Sequence, residues 1–435
     1  MEKLPTLEKF KKLINLVTCN NSPCKPYFIR ETVSPKNITK TPIKFFLLII
    51  TMGFTLPSIA DSLSARSTGQ GFNAITQDFS FSLSNPALLG QYDSKDDLFF
   101  SFNLGGMGSD QFDVVDTSEI IAKNLKNLVN DIEQQQTSPA DLNAQADAII
   151  SDLEHIDKRI TRVRNGINFQ LIIPTKLLTF GLFTNQYGRI GGLANYDEND
   201  QTLLKEAISQ GQLNLDDLRS TANGIGYSVA EAGVMLGYQP IKNEYYEMSI
   251  GTKVKYQRID LFYNSLNISE FDDNEFELDN EKYLTDESGI NIDLGLYISW
   301  GDDRQWRAAL VTNNVISQRV KHIEQDLIFK VKAYSTVGFS YHNSWLTLST
   351  EFDLSDREQF ESLMASKYAA VGAEFAFTNN VKVRLGLRND LNDVDGDLYT
   401  LGLGLSPWDV LSIDLAAFAG SNDTLGGAIQ LGFKI

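Results

Sequence analysis

The chain has 435 residues, of which 42% are hydrophobic and 11% aromatic, with a mean hydropathy of -0.19 and a formal net charge of -18. An α-helical membrane protein would be far more apolar, and nucleic-acid binding needs a basic surface that this acidic chain lacks. The length allows two or three soluble domains or one large closed β-structure.

The first 60 residues have the pattern of an export signal. An apolar run of twelve residues, 45–56, follows Lys40 and Lys44 and precedes small residues that end at Ala60. The run is too short to cross a bilayer as a helix, for which roughly 20 residues are needed. Its basic flank and small-residue end are typical of a Sec signal peptide, so we predict a leader of residues 1–60 that is cut after Ala60.

Removal of the leader changes the chemistry that remains. Both cysteines, Cys19 and Cys24, lie in it, so the exported chain is predicted to form no disulfide. Of the 38 basic and 56 acidic residues, nine and three lie in residues 1–60, which leaves 29 basic and 53 acidic residues in the exported part. Nucleic acid is therefore not an expected partner.

Segments in which apolar and polar residues alternate recur along the exported chain. In one of them Ile290, Ile292 and Leu294 share a phase, with Asn291 and Asp293 in the other. This period of two predicts β-strands. Fourteen candidate strands begin near Leu98, Ile167, Leu177, Ser228, Tyr246, Ile290, Gln305, Val331, Trp345, Tyr368, Val381, Leu398, Val410 and Ala428.

The connections alternate in length. Short joints such as 174–176 and 301–304 are followed by joints that are mostly long, such as 105–162 and 189–227. An even number of antiparallel strands with short turns at one end and long loops at the other is typical of outer-membrane barrels, and lipid requires closure because it offers the backbone no hydrogen bonds. We predict an all-β fold, a transmembrane antiparallel β-barrel of about fourteen strands over residues 98–435.

All four tryptophans lie beside the short joints: Trp300, Trp306, Trp345 and Trp408. Amphipathic aromatic side chains collect at membrane interfaces, so we interpret them as a periplasmic aromatic girdle. The alternative is packing beside the turns of a soluble protein.

The sequence ahead of the first strand carries a family resemblance. It contains Gly69 and Gly71, then Asn85, Pro86 and Ala87. This order resembles the N-terminal hatch of the FadL-like (long-chain fatty-acid transporter) barrels, and within that group the chain is similar to the conjugal-transfer TraF-like outer-membrane proteins. The resemblance covers nearly all of residues 62–435, and it implies a fourteen-stranded barrel with a plug, here residues 61–97, inside its lumen.

The long joint 105–162 has two helical patterns. Ile121 and Leu125 belong to the first, for which Ser118 is the predicted cap, and Ser138-Pro139 is the predicted start of the second. Such a hairpin is either a lid over the extracellular mouth or a self-packed structure on the rim. A second loop, 264–289, has nine acidic residues against one lysine, and it either binds divalent cations near lipopolysaccharide or is a solvated loop.

Charged side chains fall in the inward phase of the predicted strands. They are Lys253, Lys255, Asp293, Glu351, Glu374, Lys382, Arg384, Arg388 and Asp414. Mixed signs suggest ion pairs across the lumen or with the plug, because an uncompensated charge in a narrow space is unfavourable. The alternative is an ordinary hydrated lumen wall.

The sequence suggests no enzyme. The three histidines, His155, His322 and His342, are dispersed, and we predict no catalytic residues, metal site or cofactor. The expected location is the outer membrane of a Gram-negative bacterium, with membrane lipid, lipopolysaccharide and the barrel-assembly machinery as partners. The resemblance implies a surface or structural role in plasmid transfer with conjugation components as partners; the alternative is passive transport of a hydrophobic small molecule, whose binding residues the sequence does not identify.

Overall fold

The computed structural model describes residues 64–92, 98–110, 112–135, 137–175, 178–271, 284–322, 327–357, 359–361, 365–378, 380–408 and 410–435. The predicted leader, with its signal-peptide core at 45–56 and both cysteines, lies outside these residues.

Fourteen antiparallel strands form a closed barrel in which the first strand pairs with the last. The barrel strands are β1 (Phe99–Ser109), β2 (Ile160–Ile173), β3 (Thr179–Asn195), β4 (Thr221–Lys242), β5 (Tyr246–Asn267), β6 (Leu284–Trp300), β7 (Trp306–Asn313), β10 (Tyr334–His342), β11 (Leu346–Asp353), β13 (Tyr368–Thr378), β14 (Val381–Asp390), β15 (Leu398–Trp408), β16 (Leu411–Gly420) and β17 (Leu425–Lys434). The predicted fold class is confirmed.

The outer face of the barrel is apolar and the inner face is largely polar. On β15 the side chains of Leu401, Leu403 and Leu405 are exposed, whereas Leu398 and Thr400, which stand in the other phase of the same strand, are buried inside. A strand of ten or eleven residues, such as β14 or β15, is roughly 35 Å long and spans about 25 Å when tilted by about 40°. This matches the apolar band of a transmembrane barrel, so the exposed leucines face lipid.

Four strands, β3 to β6, extend beyond this band at the long-loop end, and β3 has 17 residues. β4 and β5 each have 22 residues and β6 has 17. The predicted starts near Ser228 and Ile290 are therefore too late, because β4 begins at Thr221 and β6 at Leu284. Above the lipid the outward positions become polar, as at Arg258 on β5, so the alternation that marks a lipid-facing strand disappears there.

The long joint after β1 contains two helices, α2 (Val114–Gln134) and α3 (Pro139–Ile156). The predicted cap at Ser118 is wrong, since Ser118 is buried inside α2. The helix begins one turn earlier because an oxygen of Asp110 accepts a hydrogen bond from the Val114 N–H at 2.9 Å. Ser138 is the N-cap of α3, as predicted, and accepts from the Asp141 N–H at 3.2 Å.

The two helices form a lobe with α4 (Asn199–Gln210) on the rim of the barrel. Ile121 and Leu125 of α2, Ile149 of α3 and Leu204 of α4 lie in one apolar cluster with Ala222 at the start of β4. The apolar cluster inside the barrel has no residue from these helices among those the structure describes. The helices thus have the packing expected of the self-packed alternative. No helix in the described part of the chain is long and apolar enough to cross a membrane.

A second sheet, which the sequence analysis did not predict, fills the barrel at the long-loop end. Its strands are β8 (Gln318–Lys321), β9 (Ile328–Val331) and β12 (Gln359–Phe360), in the order β12-β9-β8. We call it the mouth sheet. Val320, Phe329, Val331 and Phe360 pack against inward-facing Tyr187, Val229, Ile259, Leu261, Leu398 and Phe418 of the wall. Strands of four, four and two residues are too short to give a readable period.

The segment Ser64–Tyr92, called the hatch below, lies against the inner face of the barrel. It contains the short helix α1 (Ala65–Gly69) and two 3-10 turns, Phe79–Phe81 and Pro86–Gln91. Its residues pack with inward-facing residues of β3, β5, β6 and β7 on one side and contact β14 and β15 on the other. The bounds 61–97 for a plug domain remain a prediction.

Candidate functional site

The hatch is seated on the wall at two patches of glycine. In the first patch Gly237, Gly251 and Gly295 are register neighbours on β4, β5 and β6. A Cβ atom on Gly251 would lie 2.2 Å from the carbonyl carbon of Pro86, and one on Gly295 would lie 2.2 Å from Oδ1 of Asn85. The Asn85-Pro86-Ala87 motif can approach the wall this closely only because these strand positions lack side chains.

The second patch receives the glycines of the other hatch motif. Gly372 on β13 and Gly386 on β14 are register partners. A Cβ atom on Gly386 would lie 2.0 Å from the backbone nitrogen of Gly71, whose φ is +68° and whose N–H donates to Oγ1 of Thr400 at 2.9 Å. Gly69 packs directly on Gly402 of β15. The structure thus places both hatch motifs against bare backbone on separate parts of the wall.

Two charged side chains of the wall bind the hatch backbone directly. Oε1 of Glu351 accepts hydrogen bonds from the adjacent N–H groups of Ala74 and Ile75, at 2.5 and 2.7 Å. The Lys253 ammonium donates to the carbonyl oxygen of Leu83 at 2.9 Å. Charge-assisted bonds of this kind are stronger than neutral ones, so they add to the shape fit of the glycine patches.

Four charged groups on β4, β5 and β6 form one buried network. Lys253 pairs with Asp293 at 2.7 Å, and Lys255 pairs with both Asp293 at 3.1 Å and Glu231 at 2.7 Å. Lys253 and Asp293 are direct register partners on β5 and β6. The sequence analysis did not single out Glu231, although it stands in the inward phase of β4 with Val229 and the register would have identified it.

A second network lies on the opposite side of the lumen. Arg384 of β14 donates from Nε to Oε2 of Glu374 and from Nη1 to Oδ1 of Asp414, both at 2.7 Å. Lys382 also pairs with Glu374 at 2.8 Å. The remaining predicted charge, Arg388, stacks on the rings of Phe72 and Tyr368, with its guanidinium carbon 3.9 and 4.3 Å from the ring centroids.

A third group of charges, which the sequence analysis missed, closes the loop after β14. Asp395 pairs with Arg164 of β2 and, at 3.0 Å, with Arg189 of β3, and it accepts hydrogen bonds from the hydroxyls of Tyr368 and Ser366. Burial alone would raise the pKa of Asp395, but the Arg164 and Arg189 guanidinium groups hold that pKa well below its usual value of 3.8. Sequence alone gives no signal for this contact, since the partners lie more than 200 residues apart.

We expect the D395N variant to be less stable than wild type at neutral pH and to approach the stability of wild type in acid. A carboxylate whose folded pKa is depressed stabilises the protein at pH above its unfolded value, and this contribution disappears as pH falls through the folded pKa. The side chain of Asp395 is 1% exposed, so D395N should unfold more easily than wild type by about 3–5 kcal/mol at pH 5 to 8. Below about pH 4 the difference should shrink. Urea unfolding in lipid vesicles, followed by tryptophan fluorescence across pH 3 to 8, measures this; a difference that is constant down to pH 3 would contradict it.

One cavity between the hatch and the wall, in the part of the chain that the structure describes, is small and lined by many polar groups. The cavity has a volume of about 80 Å³. Four cationic and four carboxylate side chains line it: Lys253, Lys255, Arg357, Arg388, Glu231, Asp293, Glu351 and Asp353. Apolar cavities that take up a benzene ring have about 150 Å³ and no charged lining. This one has room for roughly half a dozen water molecules.

The tryptophans lie on the outer face at the short-turn end. Trp300, Trp306, Trp345 and Trp408 are all exposed. Trp300 and Trp306 are register partners on β6 and β7, and the ring of Trp306 packs edge-on against Tyr341 at 4.9 Å. Their role as an interfacial girdle stays a prediction.

The acidic loop and the histidines bring no site together among the described residues. Residues 272–283 of the acidic loop lie outside them, and no three His, Cys, Asp or Glu side chains in the described ranges are placed to hold a metal ion. His155 packs against Phe112 beside the helical lobe and His322 against Tyr263 near the mouth sheet, whereas His342 contacts Thr347 at the short-turn end.

The fold defines a class, a transmembrane antiparallel β-barrel with an N-terminal hatch against its inner wall. The family model described as "F plasmid transfer operon, TraF, protein" matches residues 82–353. The chain therefore belongs to this family.

Solved structures with a similar fold are outer-membrane barrels. The toluene transporter TbuX of Ralstonia pickettii aligns with a TM-score of 0.50 at 10% identity, over 86% of this chain and 99% of that chain. The toluene transporter TodX of Pseudomonas putida gives 0.49 at 10% identity, over 87% and 98%. A FadL homologue of Pseudomonas aeruginosa gives 0.46 at 11% identity, over 87% and 99%. No curated protein matches the sequence. The TbuX alignment places the chain in the FadL-like barrel fold.

Proposed function

We propose that this protein is a non-enzymatic barrel of the outer membrane whose lumen stays closed and whose role in plasmid transfer is structural, at the cell surface. The observation that carries the proposal is the cavity between hatch and wall, with about 80 Å³ and equal numbers of cationic and anionic side chains. An apolar molecule would have to displace water from buried charges there, which is unfavourable. Because cationic and anionic side chains line the cavity in equal number, the lining also gives no selectivity for cations over anions.

The seating of the hatch supports the same conclusion. Moving the hatch would break the contacts of Asn85 and Gly71 with the glycine patches, together with the charge-assisted bonds from Lys253 and to Glu351. Nothing in these contacts resembles the sparse packing expected of a segment that moves readily.

The surface that remains for partners is the helical lobe. α2, α3 and α4 pack on the ends of strands that project beyond the apolar band, so this lobe extends away from the lipid. We propose that it faces the outside of a Gram-negative cell, above lipopolysaccharide, and contacts components of the transfer apparatus. This assignment includes export by the Sec pathway and insertion by the barrel-assembly machinery.

A second candidate function is passive entry of hydrophobic molecules. It is favoured by the apolar inner wall at the long-loop end, where Val229, Ile259 and Leu261 of the barrel face Phe329 of the mouth sheet. Lumen walls of barrels are usually polar, and TbuX, which shares the fold, is named a toluene transporter. For this function the mouth sheet would have to leave the lumen and the hatch would have to move.

A gene deletion distinguishes the two functions. We expect the deletion strain to transfer a conjugative plasmid at least about tenfold less often, with uptake of labelled toluene and long-chain fatty acid unchanged. Complementation with wild type should restore transfer, and complementation with a variant that lacks residues 113–157 of the lobe should not, although its barrel assembles. Loss of uptake with normal plasmid transfer would overturn the structural role and support transport.

A further inference from the structure

The hatch and the mouth sheet occupy separate parts of the lumen. One carboxylate, that of Asp293, contacts both the lysine that binds the hatch and the backbone that leads into the mouth sheet. Oδ2 of Asp293 lies 2.7 Å from the ammonium of Lys253, and the same ammonium donates to the hatch carbonyl of Leu83 at 2.9 Å. Oδ1 of Asp293 accepts a hydrogen bond at 2.8 Å from the backbone N–H of Asn314, which leads into the mouth sheet. The side chain of Asp293 is fully buried.

The contact with Asn314 also explains why the chain turns into the lumen after β7. Three consecutive N–H groups, those of Asn314, Val315 and Ile316, bind Oδ1 of Asp293, the carbonyl of Ile292 and Oδ1 of Asn291, at 2.8, 2.9 and 3.0 Å. Asp293 and Asn291 are inward-facing, so a chain that pairs with their side chains is drawn away from the wall and toward the barrel interior. β8 follows directly.

We propose that Asp293 couples the hatch to the mouth sheet, so that displacing either obstruction loosens the other. When the hatch moves away, the Lys253 ammonium loses its hydrogen bond to the carbonyl oxygen of Leu83. The hatch then no longer fixes the position of this ammonium relative to Asp293. When Asn314 leaves, the Asp293 carboxylate loses the Asn314 N–H as a hydrogen-bond donor, and the two lysines remain as its charged partners. A buried carboxylate with a fixed set of donors has few arrangements of similar energy. The site therefore has two discrete states, one with the hatch and the mouth sheet bound and one with them displaced.

The coupling is independent of whether the barrel acts in plasmid transfer or in uptake. Its consequence is that a partner or ligand which binds on the long-loop side and displaces the mouth sheet also releases the hatch on the other side of the network. By linkage, the effect is the same in the reverse direction.

The test is hydrogen exchange measured by mass spectrometry on the full chain in lipid nanodiscs. The hatch is disturbed with G251A, which touches neither Asp293 nor the mouth sheet. In the wild-type background we expect G251A to speed exchange in β8 and β9 by roughly 5-fold to 150-fold, the usual range for coupled sites. In the D293N background G251A should have no further effect on these strands.

The matched control is D414N, which neutralises a buried carboxylate of the opposite network and should leave the effect of G251A intact. If D293N does not assemble, K253M removes the hatch end of the same bridge and takes its place. Unchanged exchange in β8 and β9 upon G251A overturns the proposal, as does an equal effect of G251A with and without Asp293.

Discussion

Replacing Gly386 by Ala should unseat the hatch while the barrel still assembles. The new Cβ atom would lie 2.0 Å from the nitrogen of Gly71, 2.3 Å from the carbonyl carbon of Gln70 and 2.6 Å from Cα of Gly71. All three are backbone atoms, so no flexible side chain can move aside. Overpacking of this kind costs about 1–3 kcal/mol at each position. Adding G251A in the other patch should roughly double the effect, because the two positions are on separate parts of the wall.

The measurement is limited trypsin digestion of the assembled barrel, with cleavage after Arg66 as the readout for the hatch. In wild type Arg66 is mostly buried and paired with Asp78 at 2.8 Å, so cleavage should be slow. The matched control is G108A on β1, where a Cβ atom would meet nothing nearer than the carbonyl oxygen of Arg162 at 3.9 Å. The explanation fails if G386A and G108A are cleaved at the same rate while both show the mobility of a folded barrel on gels without boiling.

The outer surface was predictable from sequence because lipid imposes it. Where a strand crosses the bilayer every second side chain must be apolar, and Leu401, Leu403 and Leu405 show this directly. The upper part of β5 has no such requirement, since Arg258 there meets water. The mouth sheet is shaped only by local packing, and its strands are too short to show an alternation of apolar and polar residues.

The sequence predicted which charged side chains face the interior, but it did not predict which of them pair. The phase of the strands identified Lys253 and Asp293 as inward-facing, yet only the register shows that they are direct neighbours. The glycine patches are a stronger case. Gly237, Gly251 and Gly295 are ordinary strand glycines when read along the chain, and they become a seat for Asn85 and Pro86 only when three strands are aligned side by side.

Removing the charge of Arg384 should produce the largest loss of stability among the lumen charges. Its side chain is 1% exposed and binds both Glu374 and Asp414 at 2.7 Å. R384M would leave these buried carboxylates facing each other across a space without the guanidinium, and breaking a buried pair in this way costs about 3–5 kcal/mol. K382M is the comparison, because Lys382 is 33% exposed and shares only Glu374. We expect it to cost no more than about 1 kcal/mol.

Urea unfolding from lipid vesicles measures both variants, and a triple variant separates two explanations. Replacing buried ionic partners together by neutral residues is often without cost, and Lys382, which keeps its charge, is 33% exposed to solvent. R384M/E374Q/D414N should therefore recover most of the stability that R384M loses. If Arg384 instead stabilises the barrel through the packing of its stem, the triple variant will be as unstable as R384M. Recovery would mean that the network around Arg384 is held by the balance of its charges and not by any single pair. A barrel built this way tolerates neutral substitution in sets and is damaged by substitution of one member, which is the behaviour expected of a filled lumen and not of a channel wall.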